Sequence, residues 1–253
     1  NKFEFRMVGS SQNIALPNTV LNTAVAESLR QFADLLENAE NVESAAVQLI
    51  KDTLAAHKRI LFDGNGYSDE WEAEAERRGL LNLRTSVDAY KTFMDEKNVR
   101  LFSSLGVMSE SEMRSREEIY FENYAKIVNI EALTMVVMAS RDYIPAAETY
   151  ISRLAETATK KRALSPTLSC ALEEDLIRRL STLSYEAYCA VEELKKEETA
   201  AAAIRDARER AERYCDVVIP VMDKLRRAVD RMEVLTAGQL WPVPTYGDLM
   251  FRV

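Results

Sequence analysis

The sequence predicts a mainly α-helical fold in which a single N-terminal strand precedes a long antiparallel bundle of helices. Gly and Pro are scarce, at 7 and 6 of 253 residues, which favours long regular elements over a many-stranded sandwich. Apolar residues recur every three or four positions along much of the chain, which is the spacing of amphipathic helices. Residues 2–8 instead alternate apolar and polar side chains, the period of a half-buried strand.

The N-terminal half is predicted to contain several helices that carry an apolar stripe or a capping residue. They cover about 18–37, 42–57, 69–78 with Ser68 as N-cap, 85–90, and a short stretch ending at Gly106. Residues 58–62 are expected to be a short extended piece. The run 63–67 predicts a sharp turn, because Gly64, Asn65 and Gly66 tolerate positive φ.

Three long helices are predicted for the C-terminal half, over about 109–156, 165–198 and 199–235. The first begins with a capping box formed by Ser109 and Glu112. Pro145 and Pro220 are expected to kink the first and third helices. The apolar stripes of the first two helices are predicted to be Tyr120, Tyr124, Ile127, Leu133, Val137 and Ile144, and then Leu168, Leu172, Leu176, Leu180, Leu183, Ala187, Val191 and Leu194.

The C-terminal tail cannot continue the helix, because Pro242 and Pro244 follow one another closely. Trp241 lies between Leu240 and this proline pair. We interpret Trp241 as an anchor that docks the tail onto the helices or onto a neighbouring subunit.

Composition excludes several classes of function. The net charge is −8, which disfavours nucleic acid and anionic membrane surfaces as partners. The three cysteines are widely spaced, without a Cys-x-x-Cys pair, which indicates structural thiols in a reducing, cytoplasmic compartment. No apolar run approaches the roughly 20 residues that span a bilayer.

The sequence lacks the common catalytic motifs. His57 is the single histidine and is predicted to lie at a helix end, so a catalytic triad and a Cys/His zinc site are both disfavoured. No phosphate-binding loop of the GxxxxGK[ST] or GxGxxG type is present. The acidic and basic runs are expected to be solvated helix faces.

Glu4 and Arg6 are the best local candidates for chemistry. On a strand, residues i and i+2 project to one face about 6.6 Å apart. A carboxylate there can bind Mg²⁺ or Mn²⁺ while a guanidinium grips a carboxylate or phosphate oxygen. The alternative is a structural salt bridge on a solvated face, and this spacing alone favours that alternative.

Several stretches, taken in order along the chain, resemble the type III glutamine synthetases. These stretches are NKFEFRMVGSS at 1–11 with Pro17-Asn18, DGNGYSDEW at 63–71, GLLNLR at 79–84, ENY at 122–124, NIEALTM at 129–135 and LWPVPTY at 240–246. Each stretch alone is modest evidence, but the ordered set is specific.

This resemblance implies a fold and an activity. Residues 1–57 would be the end of an α+β catalytic domain that includes its last active-site strand, 58–108 a connecting region, and 109–253 a helical bundle extension with a docked tail. The implied reaction joins ammonia to L-glutamate through a γ-glutamyl phosphate, with ATP as co-substrate and Mg²⁺ or Mn²⁺ as cofactor. The implied assembly is a homo-oligomer, a double-ring dodecamer.

The resemblance also assigns roles to two residues. Glu4 matches a glutamate that holds a metal on the nucleotide-phosphate side, and Arg6 matches an arginine that stabilises the transferring phosphoryl group and the substrate carboxylate. The other metal-binding and ATP-binding residues of the family precede the stretch that matches Asn1. We therefore expect this segment to be inactive alone and to supply one wall of the site. The segment 63–71 is a further candidate functional loop.

A non-catalytic helical scaffold or adaptor is the alternative, with Glu4 and Arg6 merely structural. The predicted strand distinguishes the two hypotheses, because a self-contained bundle has no use for one unpaired strand. The ligase hypothesis further requires several hundred residues upstream that contain clusters of glutamate and arginine.

Overall fold

The computed structural model describes residues 13–244 and 246–251, and the chain is mainly helical over these residues. Within them there is no strand. The predicted strand at residues 2–8 lies outside the described residues, as do Glu4 and Arg6. The chain divides into two compact units, Asn1–Glu117 and Glu118–Val253. The functional division at residues 57 and 108 is not tested by these units and stays a prediction.

The first unit contains short helices and the start of a long one. They are α1 Ala15–Leu36, α2 Val42–Ala56, α3 Asp69–Arg77, α4 Ser86–Lys91, α5 Glu96–Ser104 and the first residues of α6 Glu110–Met138. α1 packs against α2 and α5. A small core joins Phe102, Met108 and Met113. The expectation of an extended piece at 58–62 is wrong for its first residues, because Lys58–Ile60 form a single 3₁₀ turn.

Capping side chains begin several of these helices, although Ser68, the predicted N-cap of α3, makes no side-chain capping hydrogen bond. The Asn41 side chain accepts a hydrogen bond from the Ser44 backbone N–H at 2.9 Å, and Thr85 accepts one from Asp88 at 3.0 Å. The capping box before α6 is confirmed: Glu112 accepts from the Ser109 N–H at 2.8 Å, and the Ser109 hydroxyl accepts from the Glu112 N–H at 3.3 Å.

The second unit contains most of α6 and the remaining helices around one hydrophobic core. These helices are α7 Ile144–Leu164, α8 Ala171–Ala202, α9 Ala207–Arg213, α10 Ile219–Leu235 and α11 Tyr246–Phe251. α8 packs against both α7 and α10. Lys224 pairs with Glu193, and Arg231 with Glu186, so α8 and α10 run in opposite directions.

The predicted stripe of α8 is confirmed from Leu180 onward. Leu180 and Leu194 are fully buried, whereas Leu168 and Leu172 are exposed. The predicted start of this helix at Ser165 and Pro166 is wrong, because α8 begins at Ala171. Ion pairs between the end of α7 and the first turn of α8 hold the connecting loop: Lys161 pairs with the buried Glu173 at 2.5 Å, and Arg162 pairs with Glu174.

The predicted stripe of α6 is partly wrong. Tyr120 and Tyr124 are half-buried, but Ile127, Leu133 and Val137 are exposed. The main core instead receives Ala125, Val128 and Ala132 from α6. Phe121 is also buried, one turn before Ala125. α6 is therefore apolar on two opposite faces, and periodicity alone does not distinguish them.

A π turn lies just before each of the two prolines at which a kink is predicted. The turns are Ala139–Tyr143, ahead of Pro145, and Tyr214–Val218, ahead of Pro220. Proline lacks an N–H and its ring crowds the carbonyl four residues earlier, at Arg141 and Asp216. A π turn widens the helix at that carbonyl and relieves the clash. The expectation of one continuous helix over 199–235 is wrong, because α8 ends at Ala202 and Asp206 caps α9 through the Glu209 N–H at 2.9 Å.

Candidate functional site

The predicted catalytic pair cannot be placed, because Glu4 and Arg6 lie outside the described residues. His57 lies where it was predicted, as the exposed C-cap of α2. Two other regions bring polar and aromatic side chains together, and each lies within one unit. They are the segment 58–79 in the first unit and a cavity beside Trp241 in the second.

The segment 58–79 is folded around an aromatic pair. The rings of Phe62 and Trp71 stack, with centroids 3.9 Å apart and planes inclined by 24°. A Cβ on Gly64 would lie 2.7 Å from the Phe62 ring, so the ring lies against a position where glycine leaves room. The Asn65 side chain accepts a hydrogen bond from the Tyr67 N–H at 3.1 Å, which closes the predicted turn. The expected reason for the turn is wrong, because Gly64, Asn65 and Gly66 all have negative φ.

Arg78 connects the start of this segment to α3 through hydrogen bonds. Its Nη1 donates to the backbone carbonyls of Leu61 at 2.8 Å and Arg59 at 3.2 Å, and its Nε donates to Glu74 at 2.6 Å. The guanidinium carbon also lies 5.5 Å from the centroid of the Trp71 ring, within cation–π range. One side chain therefore joins the 3₁₀ turn to the helix that follows the loop.

Hydrogen bonds stabilise the ionised form of two glutamates in α3. The pKa of the Glu74 carboxyl lies at about 2, because the carboxylate accepts hydrogen bonds from Arg77 and Arg78. The hydroxyl of Ser68 likewise lowers the pKa of Glu70. Tyr67 at the tip of the turn is 88% exposed. The segment is therefore folded, exposes the ring of Tyr67 to solvent and stabilises the ionised carboxylates of Glu70 and Glu74.

The cavity beside Trp241 has a volume of about 410 Å³ and lies in the second unit. Its walls are formed by the end of α6, the π turn after it, α10 and the tail. The predicted anchoring of the tail is confirmed, because Trp241 is 7% exposed and joins the main core. Its ring stacks on Tyr143 with centroids 5.1 Å apart and planes inclined by 12°.

The described residues form neither a complete metal site nor a membrane span. Over 13–244 and 246–251, no three His, Cys, Asp or Glu side chains are grouped to hold a metal ion. These residues by themselves therefore do not form a site for Mg²⁺ or Mn²⁺. Among the same residues, none of the helices has the length and apolar character of a membrane span.

Sequence reasoning missed Arg78 and the Phe62 ring. The turn residues were recognised from their composition, but the bonds of Arg78 to Leu61 and Arg59 reach 17 and 19 residues back along the chain. No local pattern encodes such a contact. The Phe62–Trp71 stack has only one sequence signal, a pair of aromatic residues on either side of a glycine-rich turn.

Comparison with known proteins places these features in a family context. Residues 45–162 match the glutamine synthetase C-terminal domain, a range that contains the segment 58–79. The chain is 35% identical over 216 residues to a glutamine synthetase of Butyrivibrio fibrisolvens, covering 85% of the chain. It is 34% identical over 268 aligned residues to a type-3 glutamine synthetase of Dictyostelium discoideum. It is 28% identical over 259 aligned residues to a glutamine synthetase of Bacteroides fragilis. Each of these two alignments covers 99% of the chain. The chain spans about a third of the length of these relatives, at 31%, 35% and 36%.

Proposed function

The chain belongs to the glutamine synthetase family through its C-terminal domain, and on that premise we propose that it serves in an ATP-dependent ligase that joins ammonia to L-glutamate. The observation that carries this proposal is the match of residues 45–162 to the family's C-terminal domain. Identities of 34–35% to two relatives named as glutamine synthetases support it. Because the chain spans about a third of those relatives, the proposed activity belongs to a longer protein.

Glu4 and Arg6 are proposed as the residues of this chain that face the reaction. Bound Mg²⁺ or Mn²⁺ would neutralise phosphate charge, with the Glu4 carboxylate as one of several oxygen ligands. The Arg6 guanidinium would bind the γ-phosphate and the substrate carboxylate, since its planar fork matches both groups. A cation held there favours the more negative transition state of phosphoryl transfer.

The helical part is proposed to form contacts within a homo-oligomer, a double-ring dodecamer. Exposed apolar side chains support this role. On the outer face of α6, Ile127 and Ile130 are 52% and 64% exposed, opposite the face that enters the core. On α1 and α2, Leu29 and Ile50 are also more than half exposed. Large apolar side chains in such rows are typical of surfaces that another part of an assembly covers.

The proposed function is tested by an assay of glutamine formation with the protein expressed from its complete reading frame. Glu4→Ala should reduce metal-dependent glutamine formation strongly, and Arg6→Ala should lower turnover more than it weakens ATP binding. Glu40→Ala and Arg100→Ala are matched controls, because both side chains are exposed and distant in sequence from the proposed site. If the complete wild-type protein forms no glutamine from glutamate, ammonia and ATP, the scaffold alternative replaces this proposal. If both Glu4→Ala and Arg6→Ala are fully active, the family assignment stands and the two residue roles fall.

A further inference from the structure

The cavity beside Trp241 is lined by a carboxylate that the described residues leave without a partner. The Glu233 carboxylate is half-buried and makes no hydrogen bond or ion pair within the described part of the chain. Charged side chains that are removed from water are seldom left unpaired, so a cation is the partner that this group lacks.

The walls of the cavity are mainly apolar. Met138, Leu225 and Val229 line it from the helices, and Val243 and Leu249 from the tail. The volume of about 410 Å³ falls in the range of small-molecule sites, which are apolar hollows with a few polar groups. The cavity also borders the π turn Ala139–Tyr143, and π turns occur frequently at functional sites.

The charge of the lining favours a cation. Arg226 and Asp230 are both at the cavity, and they pair with each other through Nε–Oδ distances of 2.9 and 3.1 Å. The Glu233 charge is therefore not offset by this pair. Burial raises the pKa of the Tyr143 hydroxyl, and the nearby carboxylates of Asp142 and Glu233 raise it further, whereas Arg226 lowers it.

We propose that this cavity binds a small organic amine with an apolar, aromatic body. The ammonium group pairs with Glu233, and the body lies against the apolar walls, which include the Trp241 ring. This proposal is independent of the ligase function, because that proposal gives no role to any of the residues that line the cavity.

Tyramine is a suitable probe, because it combines a protonated amine with an aromatic ring. 4-Hydroxyphenylacetate keeps the ring and the phenol but replaces the cation with an anion. The chain has two tryptophans, so the Trp71→Phe variant assigns the indole N–H resonance of Trp241 in a ¹H–¹⁵N NMR spectrum of the 253-residue chain. We expect tyramine to shift this resonance in a saturable manner, at concentrations at which 4-hydroxyphenylacetate leaves it unchanged.

Two variants locate the site. Glu233→Gln should weaken tyramine binding by about tenfold or more, since it removes a charge-assisted bond in the cavity. Glu148→Gln, an exposed glutamate on α7 outside the cavity, should leave binding unchanged. Equal affinity for tyramine and 4-hydroxyphenylacetate would overturn the proposal. So would an affinity unchanged by Glu233→Gln, or an indole resonance that does not respond to millimolar tyramine.

Discussion

Arg78 binds the carbonyl of Leu61, 17 residues earlier in the chain, with its Nη1 at 2.8 Å from the oxygen. The same guanidinium bonds to the carbonyl of Arg59 and to Glu74, and it lies over Trp71. Nη1 bonds both carbonyls while Nε bonds Glu74, and this simultaneous use of two nitrogens depends on the planar guanidinium, which lysine lacks. The conformation of the segment 58–79 therefore depends on this side chain.

Replacement of Arg78 should open the segment locally. Arg78→Ala removes the bonds to Arg59, Leu61 and Glu74, at about 1.5–3 kcal/mol for a charge-assisted bond. We expect faster amide hydrogen exchange over residues 59–78, with little change in the second unit. Arg77→Ala is the matched control, because Arg77 pairs with the same Glu74 but its side chain is 72% exposed. Equal acceleration in both variants would show that the backbone contacts of Arg78 contribute nothing.

Gly64→Ala tests the aromatic stack. The new Cβ would lie 2.7 Å from the Phe62 ring, so the ring has to move away from its stacked position on Trp71. Loss of the pair should cost about 0.5–1.5 kcal/mol and change the fluorescence of Trp71. A Cβ on Gly66 meets nothing within 4 Å, so Gly66→Ala should be close to neutral. Unchanged Trp71 fluorescence in Gly64→Ala would contradict this account.

Glu74 gives the first unit a defined pH dependence. Its pKa is about 2 in the folded chain, below the ordinary value of 4.5, because Arg77 and Arg78 bond to the charged form. A lowered pKa in the folded state contributes stability above pH 4.5, and this contribution disappears as the pH falls towards 2. The stability difference between wild type and Glu74→Gln should therefore shrink over that window. Denaturant unfolding of both proteins at several pH values measures this stability difference. A difference that stays constant down to pH 2 would contradict the low pKa of Glu74.

Two leucines of α8 test the position of the core. Leu180 is fully buried, so Leu180→Ala should lower the free energy of unfolding by about 2–5 kcal/mol. Leu172 belongs to the same predicted stripe but is 67% exposed, so Leu172→Ala should change stability by about 0.5 kcal/mol or less. Equal losses in the two variants would mean that Leu172 is also buried.

The sequence predicted α8 well beyond its first turns because its apolar residues lie on one face, from Leu180 to Leu194. It failed for α6, where Ile127 and Val137 on one side compete with Ala125 and Ala132 on the other. Small side chains carry little hydrophobic signal, yet they mark the face that packs closest to other helices.

The break between α8 and α9 was missed from the sequence for a different reason. Ala200 to Ala203 favour helix, and no Gly or Pro follows to end α8. Asp206 with Glu209 three residues later was the available signal for the start of α9. The candidate sites were predictable only in part, since composition indicated the 63–67 turn and the Trp241 anchor, whereas the Arg78 contacts depend on tertiary structure.

The position of Glu4 and Arg6 in the complete protein tests the central claim most directly. A cryo-electron microscopy map of the complete protein, prepared with Mn²⁺ and a non-hydrolysable ATP analogue, measures it. The account predicts the Glu4 carboxylate at coordination distance from a metal ion, about 2.0–2.6 Å, and the Arg6 guanidinium against a phosphate of the nucleotide. Both side chains in bulk solvent, remote from a bound nucleotide, would contradict it.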